Sequence, residues 1–133
     1  MYLLDTNACI RILNNSSESL VSRLQQQSPE DLFLCSVVKA ELVYGAYRSS
    51  HVAANLRVLN GFFEPFKSLP FDDSCLEEYG RIRSDLDRMG TPIGPYDLMI
   101  AATSLAHDLI LVTNNTREFS RVVGLRLEDW QIE

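Results

Sequence analysis

Three carboxylates stand at junctions between predicted elements. Asp5 follows the opening Met1-Tyr2-Leu3-Leu4, Glu41 lies in Lys39-Ala40-Glu41-Leu42, and Asp97 lies in Gly94-Pro95-Tyr96-Asp97. Thr113-Asn114-Asn115 closes the strand predicted over Leu109 to Val112. In an open α/β sheet such junctions converge at the carboxyl edge of the strands, where ligands bind. Oxygen ligands of this kind suit Mg²⁺ or Mn²⁺ and suit zinc poorly. His51 and His107 are far from every one of these motifs, so no His/Cys cluster competes. The chemistry such a site supports is metal-assisted attack of water on a phosphodiester.

Each of these residues also has a plain structural role. Asp5 suits the N-cap of a first helix, and Glu41 suits a solvated helix face. Asp97 falls in the first turn after Pro95, where the helix dipole favours an anion. Thr and Asn are ordinary turn residues, and Glu118 is either a further acid of the site or a surface charge. Jointly, three separate elements with acids at sheet-edge positions favour a shared site. The sequence after Asp97, Leu98-Met99-Ile100-Ala101-Ala102, belongs to a buried helix, and a carboxylate at the mouth of such a helix needs a partner. Gly45, one turn beyond Glu41, weakens its helix by about 1 kcal/mol relative to Ala, which suggests close approach by another backbone or a substrate.

The elements that must position these groups alternate between strand and helix. Met1 to Leu4 is a strand, Asn7 to Leu13 has helical spacing, and Ser17 caps a helix through Gln27. A strand over Leu32 to Ser36 leads into a helix from Val37 to Arg48, with Ser36 as its expected cap. Ala53 to Phe63 is a helix, Ser68-Leu69 a short strand, and Cys75 to Met89 a helix ended by Gly90. Pro95 opens a helix to about His107, and a last strand is expected over Leu125 to Leu127. This order predicts an α/β fold, a mostly parallel sheet with helices on both faces.

At 133 residues the chain is expected to form one domain, spanning residues 1–133. No apolar run is long enough to cross a membrane, and the opening residues are expected to be the first strand rather than a signal peptide. Cys9, Cys35 and Cys75 form no CxxC pair and are expected to be buried thiols in a reducing cytoplasm. A net charge of −6 argues against loose electrostatic binding to nucleic acid. It leaves a metal-dependent phosphodiesterase open, because a bound cation reverses the local sign.

With Leu4-Asp5-Thr6-Asn7, Glu41 to Ala46, Pro92 to Asp97, Val112 to Phe119 and Leu127 to Trp130 in place, the whole chain resembles the PIN-domain ribonucleases. It is most similar to the VapC toxins of toxin–antitoxin pairs, in particular those that cut initiator tRNA in the anticodon loop. The resemblance implies a single-domain α/β/α sandwich and an endoribonuclease dependent on Mg²⁺ or Mn²⁺ that inhibits translation. It implies a homodimer, a cognate antitoxin whose tail fills the acidic groove, and an RNA substrate, tRNA by family likeness. Asp5 and Asp97 would then hold the ion, with Glu41 completing the site or placing the attacking water, and Thr6 and Thr113 orienting the carboxylates. Many PIN domains carry a fourth acid where this chain has Asn115, with Glu118 three residues on. Lys39, Arg11, Arg117 and Arg48 flank the motifs and are candidate RNA contacts.

Other classes fit less well. A response-regulator receiver needs a phosphoacceptor Asp and a Lys at later strand ends, where this chain has Ser36 and Thr113. A haloacid-dehalogenase phosphatase needs Asp-x-Asp, and Asp5-Thr6-Asn7 lacks the second acid. The remaining alternative is a non-catalytic partner-binding α/β module, which failure to bind metal would favour.

Overall fold

Three strand segments, Tyr2–Leu4, Leu32–Cys35 and Ile110–Val112, are apolar throughout, as strands covered on both faces are. The computed structural model describes residues 1–132. Its sheet has five strands: β1 (Tyr2–Leu4), β2 (Leu32–Cys35), β3 (Lys67–Leu69), β4 (Ile110–Val112) and β5 (Leu127–Glu128). They lie in the order β3-β2-β1-β4-β5 and every pairing is parallel. The expected mostly parallel sheet is therefore wholly parallel among the described residues.

Seven α-helices accompany it among those residues: α1 (Thr6–Leu13), α2 (Glu18–Gln25), α3 (Ser36–Arg48), α4 (Val52–Phe63), α5 (Leu76–Arg88), α6 (Pro95–Ala106) and α7 (Thr116–Phe119). Helix α6 buries six consecutive or near-consecutive positions, among them Leu98, Ile100, Ala101 and Ala102. A helix apolar nearly all round belongs in the interior. The core joins its residues to Leu3, Leu4, Leu34, Val38, Leu42, Ile82, Leu86 and Leu111.

The ends of the helices follow local chemistry. Ser17 accepts a hydrogen bond from the Leu20 N–H at 3.3 Å and caps α2. At the end of α5, Gly90 has φ +68°. The Gly90 N–H bonds to the Asp87 carbonyl and the Thr91 N–H to the Leu86 carbonyl. This is the paired-bond stop that glycine favours. Ser36 departs from its expected role: it is the first residue of α3, and Cys35 occupies the cap position without a side-chain bond. The chain turns from β2 into α3 with no residue between them, so Ser36 already has helical geometry. Strand β5 starts at Leu127 rather than Leu125, because its register is set by pairing with Leu111 and Val112.

The strand order reverses at β1. β2 and β3 lie on one side of it, β4 and β5 on the other. A reversal of this kind opens a crevice beyond the carboxyl ends of the strands that flank it. Asp5 follows β1 and Thr113 follows β4, and the Asp5 N–H donates to the Val112 carbonyl at 3.1 Å. The two strand ends are thus locked side by side at the crevice.

Candidate active site

Asp5 is only 4% exposed. One carboxylate oxygen, Oδ1, accepts from the Ala8 N–H at 2.8 Å and caps α1. The capping role expected of Asp and a role in a site are therefore compatible, since an ionised carboxylate has about four lone-pair positions. Burial pushes its carboxyl above the usual range. The Thr113 hydroxyl and the Ala8 N–H pull it back down, while Glu41 and Asp129 push it up.

Glu41 enters from α3. The Thr6 hydroxyl, at the start of α1, donates to Glu41 Oε1 at 2.8 Å, so a residue next to Asp5 fixes the rotamer of Glu41. Asp97 enters from the first turn of α6. Its carboxyl is pushed up to about 6, first by burial and then by the negative charges of Glu41, Asp5 and Glu118. Repulsion among them places these acids within one field.

Asn115 follows β4 at the cap position of α7. Its backbone N–H donates to Thr113 Oγ1 at 2.9 Å, and its Nδ2 donates to Glu118 Oε2 at 2.7 Å. Asn115 and Glu118 therefore form one hydrogen-bonded pair. Such an amide is oriented by the bond it makes, and here its oxygen is left free.

Asp5, Thr6, Glu41, Asp97 and Asn115 line one cavity of about 980 Å³, with Tyr44 and Tyr96 at its walls. Among the described residues no Lys, Arg or His forms an ion pair with Asp5, Glu41, Asp97 or Glu118. A group of uncompensated oxygen ligands fits a hard divalent cation. The carboxylates share the cavity without closing on one point: no three His, Cys, Asp or Glu side chains among the described residues stand close enough to hold an ion together. Mg²⁺ tolerates that spacing, because it keeps several waters and takes one or two carboxylates directly.

The four candidate cations are placed differently. Lys39 lies over the Phe63 ring at 5.1 Å, and Arg11 and Arg117 are exposed on α1 and α7. None of the four lines the cavity. Proximity in sequence misplaces them because helix residues one or two positions apart face different ways. Gly45 has open space where a side chain would be, so no backbone approaches it. Two contributors escaped the sequence reading. Asp129, just past β5, comes near Asp5 because the Thr113 N–H bonds to the Glu128 carbonyl at 3.1 Å. The exposed tyrosines are the other.

The PIN domain family matches residues 2–125. The chain belongs to that family. Over 129 residues, 97% of each chain, it is 43% identical to the tRNA(fMet)-specific endonuclease VapC of Shigella flexneri. It is 40% identical, with the same coverage, to the protein of that name from Salmonella typhimurium. A solved VapBC from Salmonella typhimurium bound to DNA superposes with a TM-score of 0.91 at 40% identity, over 97% of each chain. VapBC2 from Rickettsia felis, bound to a promoter fragment, gives 0.91 at 35% identity, over 97% of this chain and 98% of that one. The chain is thus a PIN-domain protein of the VapC ribonuclease group, and the α/β class read from its sequence holds.

Proposed function

We propose that this PIN-domain chain is a divalent-metal-dependent endoribonuclease, the toxin of a toxin–antitoxin pair, which cleaves tRNA and thereby inhibits translation. The observation that carries the metal dependence is the cavity that Asp5, Glu41 and Asp97 line without a compensating cation among the described residues. Asp5 and Asp97 would hold Mg²⁺ or Mn²⁺, and Glu41 completes the site. When bound, the ion offsets charge on the phosphodiester and favours attack by water. Thr6 fixes Glu41 so that its carboxylate can orient that water, and the Thr113 hydroxyl opposes the upward push of burial on Asp5. Asn115 offers a neutral oxygen, with Glu118 holding its amide.

The substrate reading rests on the names of the tRNA(fMet)-specific relatives, with which this chain aligns over 97% of its length. Initiator tRNA cut in the anticodon loop is the specific form of the reading. The solved VapBC complexes support a cognate antitoxin as the partner; the family resemblance adds that its tail covers this site and that the chain forms a homodimer. No helix of the described residues is long and apolar enough to cross a membrane, which accords with action in the cytoplasm.

The test is sequencing of RNA 5′ ends after induction of the wild type and of Asp5→Ala. A single new end in one tRNA, present only with the wild type, is the expected result. Equal degradation of DNA, homopolymer RNA and tRNA by the purified protein with Mn²⁺ would refute the specificity.

A further inference from the structure

Tyr44 and Tyr96 are 61% and 58% exposed, yet both line the acidic cavity. Tyr44 is one helical turn beyond Glu41 on α3, and residues three apart share a helix face. Tyr96 immediately precedes Asp97 at the mouth of α6, whose following residues are largely buried. Two carboxylate-bearing elements thus each present one aromatic ring beside their acid. Arg48 steadies the first ring: its Nη1 donates to the Tyr44 hydroxyl at 2.9 Å, and its guanidinium lies 5.8 Å from the ring centre. Nothing in the packing of the core requires either ring at these positions.

We infer that Tyr44 and Tyr96 are stacking platforms for unpaired nucleobases of the RNA that flank the phosphate held at the carboxylates. This deepens, and rests on, the ribonuclease reading of the site. The charge balance supports it. Protein–nucleic acid affinity ordinarily comes from cations on phosphates, but this chain carries −6 and its cavity is lined by acids. Aromatic stacking is the other large, sequence-tolerant source of affinity for single strands, and RNA loops present splayed bases to such rings. A cavity of about 980 Å³ is at the upper end of the roughly 300–1,000 Å³ of small-ligand sites, so it has room for more than a phosphate group. Arg48 then serves twice, ordering Tyr44 and bringing a cation to the outer edge of the site.

The test uses a short single-stranded RNA and a set of the same RNA with one base removed at each position in turn. Binding is measured with Ca²⁺ in place of Mg²⁺, and cleavage with Mg²⁺. The wild type should lose affinity at two positions flanking the cleaved bond. Tyr44→Ala should weaken binding of the intact RNA about five- to a hundredfold and become insensitive to one of those two positions, and Tyr96→Ala to the other. In cleavage, KM should rise by a similar factor with kcat within about threefold; Tyr96→Phe should restore wild-type KM, and Tyr44→Phe, which keeps the ring but loses the Arg48 bond, should restore most of it. Both rings are exposed, so melting temperatures should stay near the wild type. Cleavage with unchanged KM in both alanine variants, or equal sensitivity to base removal in variants and wild type, would overturn the stacking and leave the ribonuclease reading intact. Base-dependent binding without cleavage would overturn the ribonuclease reading and leave the stacking.

Discussion

Asp97 is half-buried and repelled by Glu41, Asp5 and Glu118. Its folded carboxyl titrates at about 6, above the reference value of 3.8. Between those values the folded state binds more protons than the unfolded state, so stability falls as pH rises. The contribution is complete below about pH 4 and is lost as pH passes 6. In metal-free buffer, denaturant melts of the wild type and Asp97→Asn should therefore diverge, with the variant gaining relative stability from pH 4.5 to 7. Parallel curves would mean that the acids are farther apart in solution. Asn115 poses the neighbouring question. Asn115→Asp would replace its amide-to-carboxylate bond with Glu118 by two facing acids. That substitution should lower metal-free stability, and adding Glu118→Gln should restore most of the loss and leave a site that binds Mn²⁺ more tightly than the wild type. Calorimetric titration with Mn²⁺ reads the second effect, and unchanged affinity would show that position 115 does not face the ion.

At the scale of elements, the contrast between two serines is informative. Ser17 makes a cap bond at the start of α2, whereas Ser36 is exposed and caps nothing. Ser17→Ala should lose about 1 kcal/mol, and Ser36→Ala should stay within about 0.5 kcal/mol of the wild type; urea melts measure both. A large loss at Ser36 would restore it as a cap. The same pair marks how far sequence carries. The alternation of strand and helix was readable because apolar strands and capped amphipathic helices are local signals, and Gly90 ends α5 where its permissive backbone implied. Ser36 was misread because capping depends on the dihedral angles of the turn, which the types of its neighbours do not determine. Helix α7 was missed because four residues hold too little periodicity, and β5 was displaced because its ends are set by β4 rather than by its own apolar run. At the site, the strand ends and the start of α6 pointed to Asp5, Asn115 and Asp97, the shared acidic pattern pointed to Glu41, and all four line one cavity. Asp129 and the Asn115–Glu118 bond depend on a pairing and a turn that sequence spacing does not reveal. Tyr44 and Tyr96 lie within the motif blocks, but nothing in the sequence separates them from core residues, since aromatic residues on helices ordinarily belong to the core.

The whole molecule couples these scales through one balance. The reversal of strand order at β1 forces Asp5 and the β4 terminus together, and α3 and α6 deliver Glu41 and Asp97 into the same cavity. Folding therefore assembles mutually repelling charge, and the fold holds it through the apolar packing of α6 and the three central strands. A cation that binds only the folded state relieves that repulsion. By mass action, metal at a hundred times its Kd should add about 2.7 kcal/mol, roughly 10 °C in melting temperature for a domain of this size. Because protons compete with the ion for Asp97, the increment should be larger at pH 7.5 than at pH 5, opposite in slope to the metal-free stability. Asp97→Asn should erase most of the increment at both pH values. Thermal melts with Mn²⁺, Mg²⁺ and a chelator at the two pH values decide the matter, and a melting temperature indifferent to saturating metal would leave the partner-binding α/β module as the better account of this cavity.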